Sequence, residues 1–312
     1  MGITVELKEI KSKYVDGAMG KVEFIDQMFS KHEVLYEYPP ILKNTDIKSI
    51  EINEDGVVYT TRKHKIKFIS TIPDKRIAPT EIINFNQYED LETKYFLSFI
   101  KPGDVFFDIG ANIGWFSLLA GKYNNTGQIF AFEPIPAVYN IFTNNVKLNK
   151  FTNVQTFNMG LSDTDVVTQF FFDKNFSGKT SGKNLTDSTT VEKVDVRLER
   201  LDKFTSEHNI DKIDILKCDV EGGEYSVYKG GENSLRKFKP IIITELLRKW
   251  SAKFNYHPDE VVNFLDQIGY ACFSIAKDGL KEIFSIDENV VETNFIFLHR
   301  EKHGDIIKKE RI

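Results

Sequence analysis

From about residue 86 onward, the apolar positions follow two alternating periods. Short apolar runs at 105–109, 129–132, 154–162, 213–219, 240–246, 269–275 and 293–299 have the length of buried strands. Between them, 115–121, 138–149, 225–230 and 258–268 carry helical spacing. Strands alternating with helices predict an α/β fold, a seven-stranded and mostly parallel Rossmann-like sheet with both faces covered. The last strand follows the sixth without a clear helix, which suits an antiparallel return. A further helix is predicted over 90–100, opened by acids that complement its dipole and closed by Lys101-Pro102-Gly103-Asp104. Residues 166–173 and 191–198 break the rhythm and read as an inserted β-hairpin.

Residues 1–85 are less regular. Helical spacing covers 22–29, and short strands are expected at 48–52, 57–61 and 65–70. Glu54-Asp55-Gly56 is a hairpin signal between the first two. The expected division is an N-terminal α+β extension (1–85), a main domain (86–300) and a solvated basic tail (301–312) carrying Lys302, Lys308, Lys309 and Arg311. The extension either covers or shapes the site of the main domain, or only stabilises it.

Composition narrows the class. A chain of 312 residues suits one large domain or two unequal ones. The net charge of −5 offers no basic field for nucleic acid. Two cysteines make no disulfide framework, and Cys218 reads as a small buried hydrophobe in a reducing compartment. Apolar runs stay well short of the roughly 18 residues of a membrane span. With no signal-peptide core at the N-terminus, the cytoplasm is the expected compartment. Oligomeric state leaves no trace in the sequence.

The candidate chemistry sits where strands end. Asp108-Ile-Gly110-Ala-Asn112-Ile-Gly114 closes one strand with an acid and turns tightly into a helix. Such a turn brings backbone close to a ligand and offers free N–H groups. A dinucleotide fingerprint needs glycine at the first, third and sixth positions, where this chain has Gly110, Asn112 and Trp115. A carboxylate at the mouth favours a ligand bearing ammonium or sulfonium over one bearing phosphate. Glu133-Pro134 ends the next strand, and an acid there suits both hydroxyls of a ribose. Asp219-Val-Glu221-Gly222-Gly223 ends a later strand, with Lys217 two residues earlier as a neutralising partner, and Glu245 ends another. Asp108, Glu133, Asp219 and Glu245 are expected to face one crevice at the carboxyl edge of the sheet. The polar loop at 177–182 is no phosphate loop, since Asp173 stands where the upstream glycine belongs.

The two glycine motifs together resemble the FkbM-type family of class I S-adenosylmethionine-dependent methyltransferases, over about residues 80–300. Asp219-Val-Glu-Gly222-Gly-Glu224 and Leu201-Asp202 fit its pattern. The resemblance implies S-adenosylmethionine as cofactor and O-methylation, commonly of sugar hydroxyls in glycans or natural products. It implies that Asp108 and Glu89 lie toward the methionyl end. It implies that Gly160, Leu161 and Ser162 frame the adenine, and that Gly110, Asn112 and Gly114 form the cofactor turn beside Glu133 and Pro134. Asp219 is expected at the same crevice.

A hydroxyl acceptor must lose its proton as it attacks, so a general base is expected. Glu245, Glu221 and Asp219 are the candidates, ahead of His257 at a helix start. Asp219 and Glu245 could instead hold Mg²⁺, although the sequence shows no third ligand at fixed spacing. Other readings stay open: N-methylation of a small molecule, a binding protein that kept the fold, and a nicotinamide oxidoreductase, against which the missing glycines speak. A base-flipping nucleic-acid methyltransferase is disfavoured, because no aromatic Pro-Pro element follows Asp219.

Overall fold

The computed structural model describes residues 2–71, 74–173, 177, 180–183 and 191–312. The chain opens with helices α1 (Ile3–Val15), α2 (Lys21–Phe29) and α3 (Tyr38–Leu42). An antiparallel sheet follows, β1 (Ile47–Asn53), β2 (Gly56–Thr61) and β3 (Lys67–Ser70), in that spatial order. Asn53 Oδ1 accepts from the N–H groups of Asp55 and Gly56 and so shapes the hairpin that the sequence predicted. Helices α4 (Ala78–Phe85) and α5 (Asp90–Phe99) lead into the main sheet.

There the elements alternate as β4 (Val105–Ile109), α6 (Trp115–Tyr123), β5 (Gln128–Phe132), α7 (Pro136–Leu148) and β6 (Val154–Phe157). Next come β7 (Gly160–Ser162), β8 (Val166–Phe172), β9 (Glu192–Arg200), α8 (Leu201–Glu207) and β10 (Ile215–Cys218). Helices α9 (Glu224–Lys229) and α10 (Glu232–Phe238) precede β11 (Ile241–Glu245), α11 (Arg248–Ser251) and α12 (Pro258–Gln267). The chain closes with β12 (Tyr270–Ile275), β13 (Leu280–Ile283), β14 (Asn294–His299) and α13 (Gly304–Glu310).

The main sheet has eight strands in the order β13-β12-β14-β11-β10-β4-β5-β6. The five strands from β11 to β6 pair in parallel, while β14 runs antiparallel to both β11 and β12. This is the α/β sheet that the alternation predicts, with the antiparallel return. The eighth strand, β13, pairs antiparallel with β12 at the edge. Its four residues are too few to give a periodic signal.

The run at 154–162 is not one strand. It breaks at Asn158, whose side-chain amide donates to the carbonyls of Glu133 and Pro134 at 2.9 and 3.0 Å. β7 then leaves the main sheet and joins the inserted hairpin in a separate sheet, β7-β9-β8. Successive residues of a strand face opposite sides, so Phe106 and Phe107 feed different cores. Phe106, Ile215 and Ile243 pack with α5, α6, α7 and the N-terminal sheet. Phe107, Leu216 and Ile242 pack with α8, α9, α10 and α12.

The N-terminal sheet is tied to α7 by two asparagines. Asn145 Oδ1 accepts from Ile69 N–H at 2.7 Å, and Asn149 bonds both backbone groups of Lys67. Residues 301–312 were expected as a solvated tail. Instead α13 turns Ile306 and Ile307 onto the core, and Arg311 pairs with Glu282 at 2.9 Å. The sequence count of basic residues concealed that apolar pair. Among the described residues no helix is long and apolar enough to cross a membrane. Cys218 and Cys272 are both buried and free.

Candidate active site

In this sheet β4 is the switch point: the chain leaves it toward β5 on one side and later returns through β10 on the other. Strand ends at such a point leave a crevice. A cavity of ≈ 690 Å³ lies there. It is lined by Glu89, Asp108, Gly110, Asn112, Glu133, Pro134, Gly160, Leu161, Asp219, Glu221 and Glu245. Gly114, Ser162 and His257 are not in its lining. Gly114 lets α6 close on α7, since a Cβ there would meet the Phe142 ring at 2.4 Å. Ser162 pairs with Arg200 in the small sheet. His257 caps α12 in a capping box with Glu260.

The first turn is held by its own contacts. Gly110 has φ +83°, and a Cβ on it would come within 1.9 Å of the Asp219 carbonyl oxygen. Glycine is therefore demanded by the approach of this turn to the end of β10. Asn112 takes a left-handed conformation and accepts from Ile113 N–H through its own Oδ1 at 2.7 Å. Asp108 is 1% exposed. Its Oδ2 accepts from the Ser117 hydroxyl at 2.6 Å, while its Oδ1 is buried without a hydrogen-bond partner among the described residues. Burial pushes its carboxyl up, and the Lys217 ammonium and the Ser117 hydrogen bond pull it back.

Glu133 is anchored at both oxygens. Oε1 accepts from Ile135 N–H at 2.9 Å and Oε2 from Asn112 N–H at 3.0 Å. Each oxygen keeps one acceptor position for a ligand. Burial raises this carboxyl to about 7 despite those two bonds. Removing its side chain orphans two backbone donors, so Glu133→Ala is expected to cost stability.

The second turn carries the densest charge. Carboxylate oxygens of Asp219, Glu221 and Glu245 lie within 4.8 Å of one another. Lys217 donates to Asp219 Oδ2 at 2.9 Å. Glu224, which completes the second motif, is not in the cavity lining. Its Oε1 accepts from the N–H groups of Val220 and Gly222, each at 3.1 Å, and its Oε2 from the Tyr256 hydroxyl at 3.1 Å. It braces the loop that presents Asp219 and Glu221. Burial, then the neighbouring Asp219 and Glu89, lift Glu245 to about 8. Burial lifts Glu89 to about 7, opposed by Lys217.

The rest of the lining comes from elsewhere in the chain. Arg76, Ile77, Phe85 and Gln87 reach it from the N-terminal region, Ser177 and Thr180 from the inserted hairpin, and Lys249 and Trp250 from α11. Asp74 joins the first two groups, accepting from the N–H groups of Ser177 and Arg76 at 2.9 and 2.8 Å. Ser181 donates to the Glu221 carbonyl at 2.9 Å, which seats the hairpin on the second turn. Gly178 and Lys179, part of the polar loop read from the sequence, lie outside the described residues. Sequence reasoning missed Ser117, Trp250 and these N-terminal contributors. Ser117 alone had a signal, as a small polar residue inside an otherwise apolar first helical turn.

Residues 108–272 match the family described as the methyltransferase FkbM domain. Over 151 residues the chain is 32% identical to methyltransferase sdnD of Sordaria araneosa, covering 39% of this chain and 58% of that protein. It is 28% identical to the hexuronic acid methyltransferase AglP of Haloferax volcanii, covering 46% and 56%. It is also 28% identical to the 2-O-methyltransferase NoeI of Sinorhizobium fredii, covering 46% and 64%. The chain thus spans less than two thirds of the length of these relatives. With more than half of its residues inside the family match, and acids from both motifs in the cavity wall, this chain belongs to the FkbM methyltransferase family.

Proposed function

We propose that this chain is an S-adenosylmethionine-dependent O-methyltransferase acting on a hydroxyl of a sugar-containing or natural-product acceptor. The observation that carries the cofactor reading is Asp108 Oδ1. It is a buried acceptor without a partner among the described residues, on a residue in the wall of a cavity rich in carboxylates. A donor-bearing, positively charged ligand satisfies it. Asp108 and Glu89 would hold the methionyl end, Glu133 the ribose, and Gly160 and Leu161 the adenine. When bound, the cofactor supplies an activated methyl group together with its leaving group.

The chain's own task is to align the acceptor and take its proton. Glu245, raised to about 8 and beside Asp219 and Glu221, suits that base. The exposed Phe85 in the lining offers an apolar face against which a sugar ring can stack. The name of AglP, a hexuronic acid methyltransferase, agrees with a sugar acceptor.

One observation favours a second reading of the same acids. Glu221 supplies the third oxygen ligand that the sequence did not reveal beside Asp219 and Glu245. Three hard oxygen donors fit Mg²⁺. Both readings meet one experiment. Calorimetry with S-adenosylhomocysteine is expected to show binding, and a turnover assay over pooled sugar acceptors to show methyl transfer. Activity unchanged by EDTA supports Glu245 as the base alone. Activity lost to EDTA and restored by Mg²⁺ supports the ion. Absence of binding at millimolar S-adenosylhomocysteine rejects the cofactor assignment.

A further inference from the structure

The cavity holds a buried cation that the proposed chemistry leaves unused. Lys217 lies in β10 and is 7% exposed. It stands in register with Asp108 on β4, so the two side chains leave the same face of the sheet. Its Nζ lies 2.9 Å from Asp219 Oδ2 and 4.9 Å from the centre of the Phe116 ring. Burial works against its charge, but the carboxylates of Asp219, Glu89 and Asp108 outweigh that and keep it protonated.

An ammonium has three donors. Among the described residues, the bond to Asp219 accounts for one of them. Lys217 lines the cavity, where its other donors can meet a ligand. The other basic residues of the lining, Arg76 and Lys249, are exposed.

A hollow of carboxylates alone is a poor seat for an amino acid. It attracts the ammonium and repels the carboxylate carried on the same carbon. A cation flanked by acids complements both charges at once. We propose that Lys217 anchors the carboxylate of the cofactor's methionyl end, with Asp108 and Glu89 beside the ammonium. This rests on the reading of the cavity as an S-adenosylmethionine site. It gives the lysine a task beyond neutralising Asp219.

The test compares two ligands by calorimetry: S-adenosylhomocysteine and S-adenosyl-3-thiopropylamine, which keeps the sulfur and amine but lacks the carboxylate. The wild-type protein is expected to prefer the first by about tenfold to a hundredfold, the range of one charge-assisted hydrogen bond. In Lys217→Met that preference collapses, because affinity for S-adenosylhomocysteine falls while affinity for the amine changes little. Lys217→Arg keeps a cation and is expected to restore part of the preference.

Equal binding of both ligands by the wild type overturns the anchor and leaves the cofactor site standing. A Lys217→Met protein that weakens both ligands alike gives the lysine a structural role only, and also overturns it. If the wild type binds neither ligand, the cofactor reading itself fails. Should Lys217→Met not fold, the wild type and Lys217→Arg still decide: loss of the preference in either rejects the proposal.

Discussion

Glu245 shows how placement sets the chemistry of one side chain. Its carboxyl is raised to about 8 first by burial and then by the charges of Asp219 and Glu89, against the pull of Lys217. A carboxyl of this kind is a stronger base than an ordinary glutamate and still ionises near neutral pH. If it takes the acceptor's proton, only its ionised form works, so kcat/KM falls as pH drops below about 8. The expected kcat/KM profile, which reports the free enzyme, rises through that value, while the kcat profile rises at lower pH because the bound cofactor's positive charge favours the ionised acid. Glu245→Gln is expected to lower kcat by about 10²–10⁴, the usual contribution of a positioned base, and to leave S-adenosylhomocysteine affinity nearly unchanged. A variant with ordinary turnover and an unaltered pH profile would remove Glu245 from the role.

At the scale of elements, the site is two turns pressed together. The first follows β4, the second follows β10, and Gly110 meets the Asp219 carbonyl where they touch. A methyl group at 110 has nowhere to go, because the neighbour it would meet is the Asp219 backbone and φ is +83°. Gly110→Ala is expected to cost about 3 kcal/mol or more and to abolish cofactor binding, since the shift moves Asp108 and Asp219 together. Gly20→Ala, where a Cβ meets nothing within 4 Å, serves as the control. Thermal melts and calorimetry on both variants check this; equal behaviour would show that the turns can separate without harm.

These turns were legible in the sequence because each combines a short apolar run, an acid and glycines, all within about a dozen residues. Their meeting was legible too, because a doubly wound sheet brings adjacent strand ends together. What the sequence hid depends on distant contacts. The break at Asn158 is fixed by the carbonyls of Glu133 and Pro134, at the end of the neighbouring strand. The third carboxylate, Glu221, reaches Asp219 and Glu245 from a left-handed backbone position that local propensity does not favour. The rim residues Arg76 to Gln87 come from a region whose weak periodicity left a place at the site and a purely stabilising role as equal readings.

For the whole molecule, gathering these acids has a cost that depends on pH. Glu89, Glu133 and Glu224 are raised from an ordinary 4.5 to about 7, and Glu245 to about 8, with burial the largest cause in each. Below 4.5 these carboxyls are protonated in folded and unfolded chains alike. Between 4.5 and about 8 the unfolded chain has released protons that the folded chain still holds. The folded state binds more protons there, so its stability falls as pH rises through that window. His303, lowered to about 4 by burial, acts in the opposite sense between 4 and 6.5, as do His64 and His299, also lowered by burial, while Asp104 and Asp108, raised by burial, add to the acids. The ligand-free protein is therefore expected to melt at least about 5 °C lower at pH 8.5 than at pH 5.5. Glu245→Gln, which removes one of the four, is expected to flatten that slope. A ligand bearing positive charge favours the ionised acids, so S-adenosylmethionine is expected to raise Tm more at pH 8.5 than at pH 5.5. A larger gain at the acidic end would mean that these carboxyls do not face the cofactor's charge.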